Sequence, residues 1–203
     1  MRALGLVSAG SLCAALLVGS CCPPASAGAA PPPTPAVRDG QHDFDFELGT
    51  WKFHVRKLVH PLSGSQRWIE LDGTSRTCRI WNGRAQLEQA EVRGAAGSIE
   101  GLTLRLYNPR TGQWSLYWAT SKAGALAGPP NVGRFTHGVG RFYSWDSYDG
   151  RYVLIRYVWS RITPGSAHFE QSFSDDGGRT WEVNWITDQT RIGPAADCAG
   201  ATS

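Results

Sequence analysis

The sequence predicts an all-β protein, an up-and-down antiparallel β-barrel of about ten strands. Apolar and polar residues alternate with period two from Thr50 to Arg191, and no stretch of helical period is long enough to compete. Turn chemistry separates the alternating runs at short intervals. Nine Trp, seven Phe and six Tyr stand against a single Met, a composition that suits strands and the walls of cavities. A length of 203 residues fits one ordinary domain with one core.

The first segment, 1–27, reads as a signal peptide. Arg2 supplies the positive start, and Ala3–Val18 is apolar but too short and too rich in small residues for a stable span. Two exits compete. Ala25-Ser26-Ala27 is an A-x-A cleavage site, whereas Val18-Gly19-Ser20-Cys21 resembles a bacterial lipobox, in which Cys21 is acylated. Either exit implies export, to the periplasm or outer membrane as a lipoprotein, or by secretion. Segment 28–41 is rich in Pro, Ala and Gly and reads as a flexible tether, which would hold a domain clear of a membrane if Cys21 is lipidated. The barrel is expected over 42–192, with a tail over 193–203. A net charge of +3, mixed along the chain, gives no footprint for nucleic acid.

Within the barrel, Thr50–Val59 sets Trp51, Phe53 and Val55 against Lys52, His54 and Arg56. Gln66–Leu71 and Thr74–Ile80 follow, parted by Asp72-Gly73. Asn82-Gly83 accepts the positive φ of a tight turn, so Thr74–Ile80 and Ala85–Arg93 should form a hairpin. Leu102, Leu104 and Leu106 then alternate with Thr103, Arg105 and Tyr107, and Trp114, Leu116 and Trp118 with Ser115 and Tyr117. Lys122–Val132 is the longest irregular stretch and reads as a lid or omega-type loop. Short strands at Gly133–His137 and Gly140–Ser147 lead to Arg151–Arg161, Ala167–Phe173 and Trp181–Arg191.

Gly49, Trp51 and Arg191 carry a family resemblance. A Gly-x-Trp opening the first strand and an arginine closing the last resembles the signature of the calycins, the lipocalins, fatty-acid-binding proteins and their relatives. The resemblance implies that Trp51 seals one end and that Arg191 stacks across it. Phe44, Phe46 and Leu48 would then plug the barrel floor, with Asp43, Asp45 and Glu47 in solvent. By the parity of the last strand, Trp181, Val183 and Trp185 share a face with Arg191. The runs F-D-F-E-L-G-T-W, W-N-G-R-A and F-S-D-D-G-G-R-T-W-E-V-N-W also resemble a family of bacterial exported proteins of unknown function. That likeness covers most of Asp43–Arg191 and brings no catalytic residue with it.

Ser174–Trp181 fits the Asp-box pattern S-x-D-x-G-x-T-W, in which Asp176 caps backbone N–H groups of a hairpin. A sialidase-type propeller needs that motif repeated, and one copy is present. Asp176 is therefore assigned to structure. No C-x-x-C or His-rich spacing points to a metal. No cofactor is expected, because haem needs an inward histidine and His54 and His168 fall on the expected outer faces. Of the five cysteines, Cys78 and Cys198 lie beyond the leader. In an oxidising compartment they can pair and tie the tail to the wall, and two free thiols is the other reading.

These residues support a barrel that binds a small, mostly apolar ligand, with Phe53, Trp114, Trp118 and Trp185 as its wall. Arg156 is the one charge in Tyr152–Val158. It is read either as an inward anchor for an anionic group or as an outward residue covering Tyr157 and Trp159. One alternative is an enzyme acting on a lipid or sugar derivative with Glu70 or Glu170 as acid/base, although no hydrolase motif appears. The other is a packed barrel that serves as an interaction module.

Overall fold

The computed structural model describes residues 38–198. The signal segment, the acylation site Cys21 and most of the tether lie outside the described residues. The expected fold class is present. Ten antiparallel strands run as β1 (Gly49–Leu58), β2 (Trp68–Ile80), β3 (Ala85–Gly94), β4 (Gly97–Asn108) and β5 (Gln113–Thr120), then β6 (Asn131–Thr136), β7 (Val139–Tyr148), β8 (Arg151–Ser160), β9 (Ser166–Ser174) and β10 (Glu182–Gly193). Each strand pairs with its neighbour in sequence, and β1 also pairs with β10, so the sheet closes into a barrel, with the β5–β6 pairing confined to Trp114–Leu116 against Asn131–Gly133. A two-residue strand, β11 (Ala196–Asp197), runs parallel to β2. Next to it a disulfide joins Cys78 to Cys198 across 120 residues of sequence.

The turn residues do what their chemistry requires. Trp81, Asn82 and Gly83 all take positive φ and carry β2 into β3. Asp72-Gly73 is different: it does not end a strand, and β2 runs unbroken through it. Gly73 is there for space, because a Cβ would fall 1.9 Å from the Glu91 carbonyl oxygen on β3. The irregular stretch 121–130 joins β5 to β6 and is pinned midway by a bridge between Ala119 and Leu126.

One end of the barrel is closed by the segment that precedes β1. The alternation that sets Phe44, Phe46 and Leu48 against Asp43, Asp45 and Glu47 implies extended backbone, but this segment is a string of tight turns, with backbone bonds Asp43→Gly40, Asp45→His42, Glu47→Phe44 and Leu48→Asp45. Spacing along such turns is three to four residues, so Phe44, Glu47 and Leu48 all face inward and are buried. Glu47 was expected in solvent and is fully buried. The turns also draw in the end of the expected tether: Gly40 is buried, donating to the Tyr107 hydroxyl and accepting from Trp114 Nε1, both at 2.9 Å. Asp39 and Gly40, read from sequence as part of the tether, therefore pack against the barrel.

Trp51 and Arg191 meet where β1 joins β10. They are paired in register, and the guanidinium carbon lies 4.3 Å from the centre of the indole. Arg191 donates from Nη1 to the Leu48 carbonyl at 2.6 Å, from Nη2 to Phe46 at 2.6 Å and from Nε to Pro164 at 2.7 Å. Trp51 Nε1 donates to the Glu47 carbonyl at 2.9 Å. Gly49, at φ 120°, makes this possible, since a Cβ there would lie 2.7 Å from Arg191 Nη1. Trp51→Ala should destabilise the protein by about 3–5 kcal/mol, the scale for a large buried aromatic. A denaturant melt showing less than about 1 kcal/mol of loss would contradict a sealing role.

Candidate functional site

Above the plug the barrel encloses a cavity of about 530 Å³. Its walls are largely apolar and aromatic, with Phe53, Trp118, Phe169, Phe173, Trp185 and Ile69 among them. These side chains come from inward positions of strands on every side, as the period of two requires. The mouth lies at the end away from the plug, where Leu58–Pro61 of the β1–β2 connection and Tyr148 of β7 contribute. Lys57 also points inward near the mouth, its ammonium 5.6 Å from the Trp185 ring centre.

The floor is polar. Glu88 on β3, Arg105 on β4 and Gln189 on β10 all line the cavity, and each is at most 5 % exposed. Arg105 Nη2 donates to Glu88 at 2.5 Å, and the same nitrogen stands 3.9 Å from Glu47. Behind the guanidinium lies the Phe44 ring, 5.1 Å from its carbon. Glu47 accepts from Trp159 Nε1 at 2.7 Å and from Gln189 Nε2 at 3.4 Å. Among the described residues, Arg105 Nε and Nη1 and Gln189 Oε1 have no hydrogen-bond partner. Burial pushes the Glu47 carboxyl up to about 7, with the Glu88 charge adding to the rise and Arg105 opposing it.

Of the wall residues expected from sequence, Phe53, Trp118 and Trp185 line the cavity. Trp114 does not. It stands near the closed-end start of β5, fully buried against Phe44 with ring centres 5.3 Å apart, and belongs to the plug. Arg156 takes the outward orientation: register places it opposite Tyr143 and Ser172, on the face away from the cavity. There its guanidinium stacks on Trp181 at 4.2 Å and donates to the Ser172 hydroxyl at 3.4 Å. Of the two readings of Arg156, the inward anionic anchor is thus not the one adopted, and the guanidinium lies outside, over Trp181 in place of Tyr157 and Trp159.

Trp181 itself departs from the expected parity. A bulge between Val183 and Trp185 shifts the register of β10 against β9, so Trp185 and Arg191 face inward while Val183 pairs with outward Ser172. Glu70 is exposed and lies outside the cavity lining, and so does Glu170, which faces His168 at 3.0 Å on the outer surface. His168 is buried there by its contacts with Glu170 and Asp188. Asp176 organises the β9–β10 hairpin, accepting from the backbone N–H groups of Arg179 and Thr180 and from the Ser174 and Thr180 hydroxyls. Those bonds hold its carboxyl well below the usual carboxylate range.

The residues that sequence reasoning missed are Glu88, Arg105 and Gln189. Their signal was register: Thr77 pairs with Glu88 and Glu88 with Thr103, so the inward face of β2 fixes that of β3 and β4. That chain of pairings could be followed only once the face of β2 was known.

No protein-family model matches this chain, and no curated protein sequence matches it. Solved structures share its fold. The S-type phycobiliprotein lyase CPES from Guillardia theta superposes with a TM-score of 0.53 at 11 % identity, covering 76 % of this chain and 93 % of that one. Rv2717c from M. tuberculosis gives a TM-score of 0.50 at 15 % identity, over 77 % of this chain and 99 % of that one. At such identities the likeness is one of fold.

The raised Glu47 carboxyl gives a pH dependence with a definite sign. The folded state keeps a proton that the unfolded chain releases above its ordinary value of 4.5. The stabilising effect of that proton is complete below 4.5 and declines as pH rises towards 7. Glu47→Gln should therefore gain stability relative to wild type between about pH 5 and about pH 8. Paired thermal melts across that range check this, and a difference that stays constant with pH would refute it.

Proposed function

We propose that this is an exported binding protein whose barrel holds a small, mostly apolar ligand. The observation that carries the reading is the cavity of about 530 Å³, with aromatic walls and a few polar groups gathered at its floor. That combination of volume and lining suits one small molecule, the apolar wall supplying affinity and the polar end orientation. Among the solved structures that share the fold, one is a phycobiliprotein lyase. A cavity of this size argues against the packed interaction module. The enzymatic alternative draws no support from Glu70 and Glu170, since neither lines the cavity.

Export is part of the proposal. It rests on the apolar leader with its positive start, and the Cys78–Cys198 disulfide favours an oxidising compartment. Acylation at Cys21 would make the protein a tethered lipoprotein, and cleavage after Ala27 would release it.

A neutral polarity-sensitive dye such as Nile red tests the cavity. Wild type should bind the dye with a rise in fluorescence. The variant Ala90→Phe, which adds a ring to a wall position, should weaken binding by about tenfold or more while keeping its cooperative melt. Equal binding by both proteins would place the dye on the outer surface and count against the reading.

A further inference from the structure

The floor of the cavity also limits the chemistry of the ligand's buried end, an inference that rests on the binding reading above. One guanidinium serves two carboxylates there, Glu88 at 2.5 Å and Glu47 at 3.9 Å, and all three side chains are shut off from solvent. The cation is thus already matched by Glu88. A further anion brought to Arg105 would face the Glu88 charge in a medium that screens charge poorly, and would have to be buried beside the Glu47 carboxyl as well. Hydrogen-bonding capacity is left over beside the cavity: Arg105 Nε and Nη1 lack an acceptor and Gln189 Oε1 lacks a donor, and since all three atoms are closed off, a ligand would engage them through a small rotation of these two side chains. Burying such groups without partners is unfavourable, so a ligand that meets them gains both affinity and orientation.

We infer that the ligand's inner end is an uncharged group that accepts a hydrogen bond from Arg105 and donates one to Gln189, as an amide or a hydroxyl does, on an apolar body that fits among the aromatic walls. A carboxylate is disfavoured at this position. An anionic group has another place to go, because Lys57 points inward near the mouth. A carboxylic acid could bind there end-reversed, so the comparison has to be made with and without that lysine.

Three probes of nearly equal shape separate the possibilities: 2-naphthamide, 2-acetonaphthone and 2-naphthoate. They share a ring body and differ in offering an acceptor with a donor, an acceptor alone, or an anion. Calorimetric titrations use the full-length protein, in wild-type and Lys57→Met forms. In the Lys57→Met protein the amide should bind about tenfold or more tightly than the naphthoate, with the ketone between them. Glu88→Gln in the same background keeps the shape of the floor and releases Arg105 from its anion. Naphthoate should then gain about tenfold while the amide changes far less.

Naphthoate equal to or tighter than the amide in Lys57→Met would overturn the inference. So would a Glu88→Gln protein, folded by its thermal melt, that fails to favour the acid. A ketone that binds as tightly as the amide would overturn the donor half of the assignment. Nile red bound inside the barrel with no preference among the probes would sink this inference alone. Failure of the dye and all three probes would sink the binding reading with it.

Discussion

The Arg191 guanidinium is the contact on which the rest of the structure depends. It closes the barrel where β10 meets β1, stacks on Trp51, and holds the carbonyls of Phe46 and Leu48. Those carbonyl contacts act together with the Trp51 bond to Glu47 and the Gly40 bonds to Tyr107 and Trp114 in fixing the turns before β1 over the barrel end. With them in place, Phe44 is driven among Trp114, Phe135, Phe142 and Trp159, and Glu47 is carried under the cavity. One planar cation thus joins the closure of the sheet to the position of a buried carboxyl. A lysine could not do the same, because its ammonium offers no flat face for the indole and no fixed fork for several carbonyls.

The site follows from that arrangement. Glu47 and Phe44 come from the plug, while Glu88, Arg105 and Gln189 come from strands, so the floor is assembled from both. Above it the walls are nearly free of charge until Lys57 near the mouth. The interior is therefore graded, from a matched ion cluster through aromatic surface to a single cation. Such a gradient orients a ligand as well as holding it, because each end of the molecule meets a different medium.

Much of this was legible in the sequence, and the reasons for success and failure are specific. Period-two alternation and Asn82-Gly83 were enough for the order of the strands and for most of their bounds, because strand periodicity and turn chemistry are local, whereas Asp72-Gly73 looked like a turn and lies within β2. Gly49, Trp51 and Arg191 were found through resemblance. The plug was misjudged because D-F-D-F-E-L alternates in sequence while its backbone turns, which brings Glu47 to the side of Phe44. The floor was missed because β4 offers two readable faces. Leu102, Leu104 and Leu106 make the more apolar one, yet register turns Thr103 and Arg105 into the cavity. Parity also failed along β10, where the bulge near Asn184 reverses every assignment before it. Arg156 was a different case, since both faces of β8 are apolar and only the neighbouring strands decide which is inside.

The places where the described chain enters and leaves the barrel have a consequence of their own. Asp39 and Gly40 dock on Tyr107 and Trp114 at the plugged end, and Cys198 is held to Cys78 in the half of β2 nearest that end. Entrance and exit of the polypeptide thus share one pole of the barrel, and the mouth occupies the other. A surface, a fusion partner or an immobilising resin joined directly before Asp39 or after Cys198 would grip the barrel by its base. The opening lies at the opposite pole from both of these attachment points, as with a cup held from below.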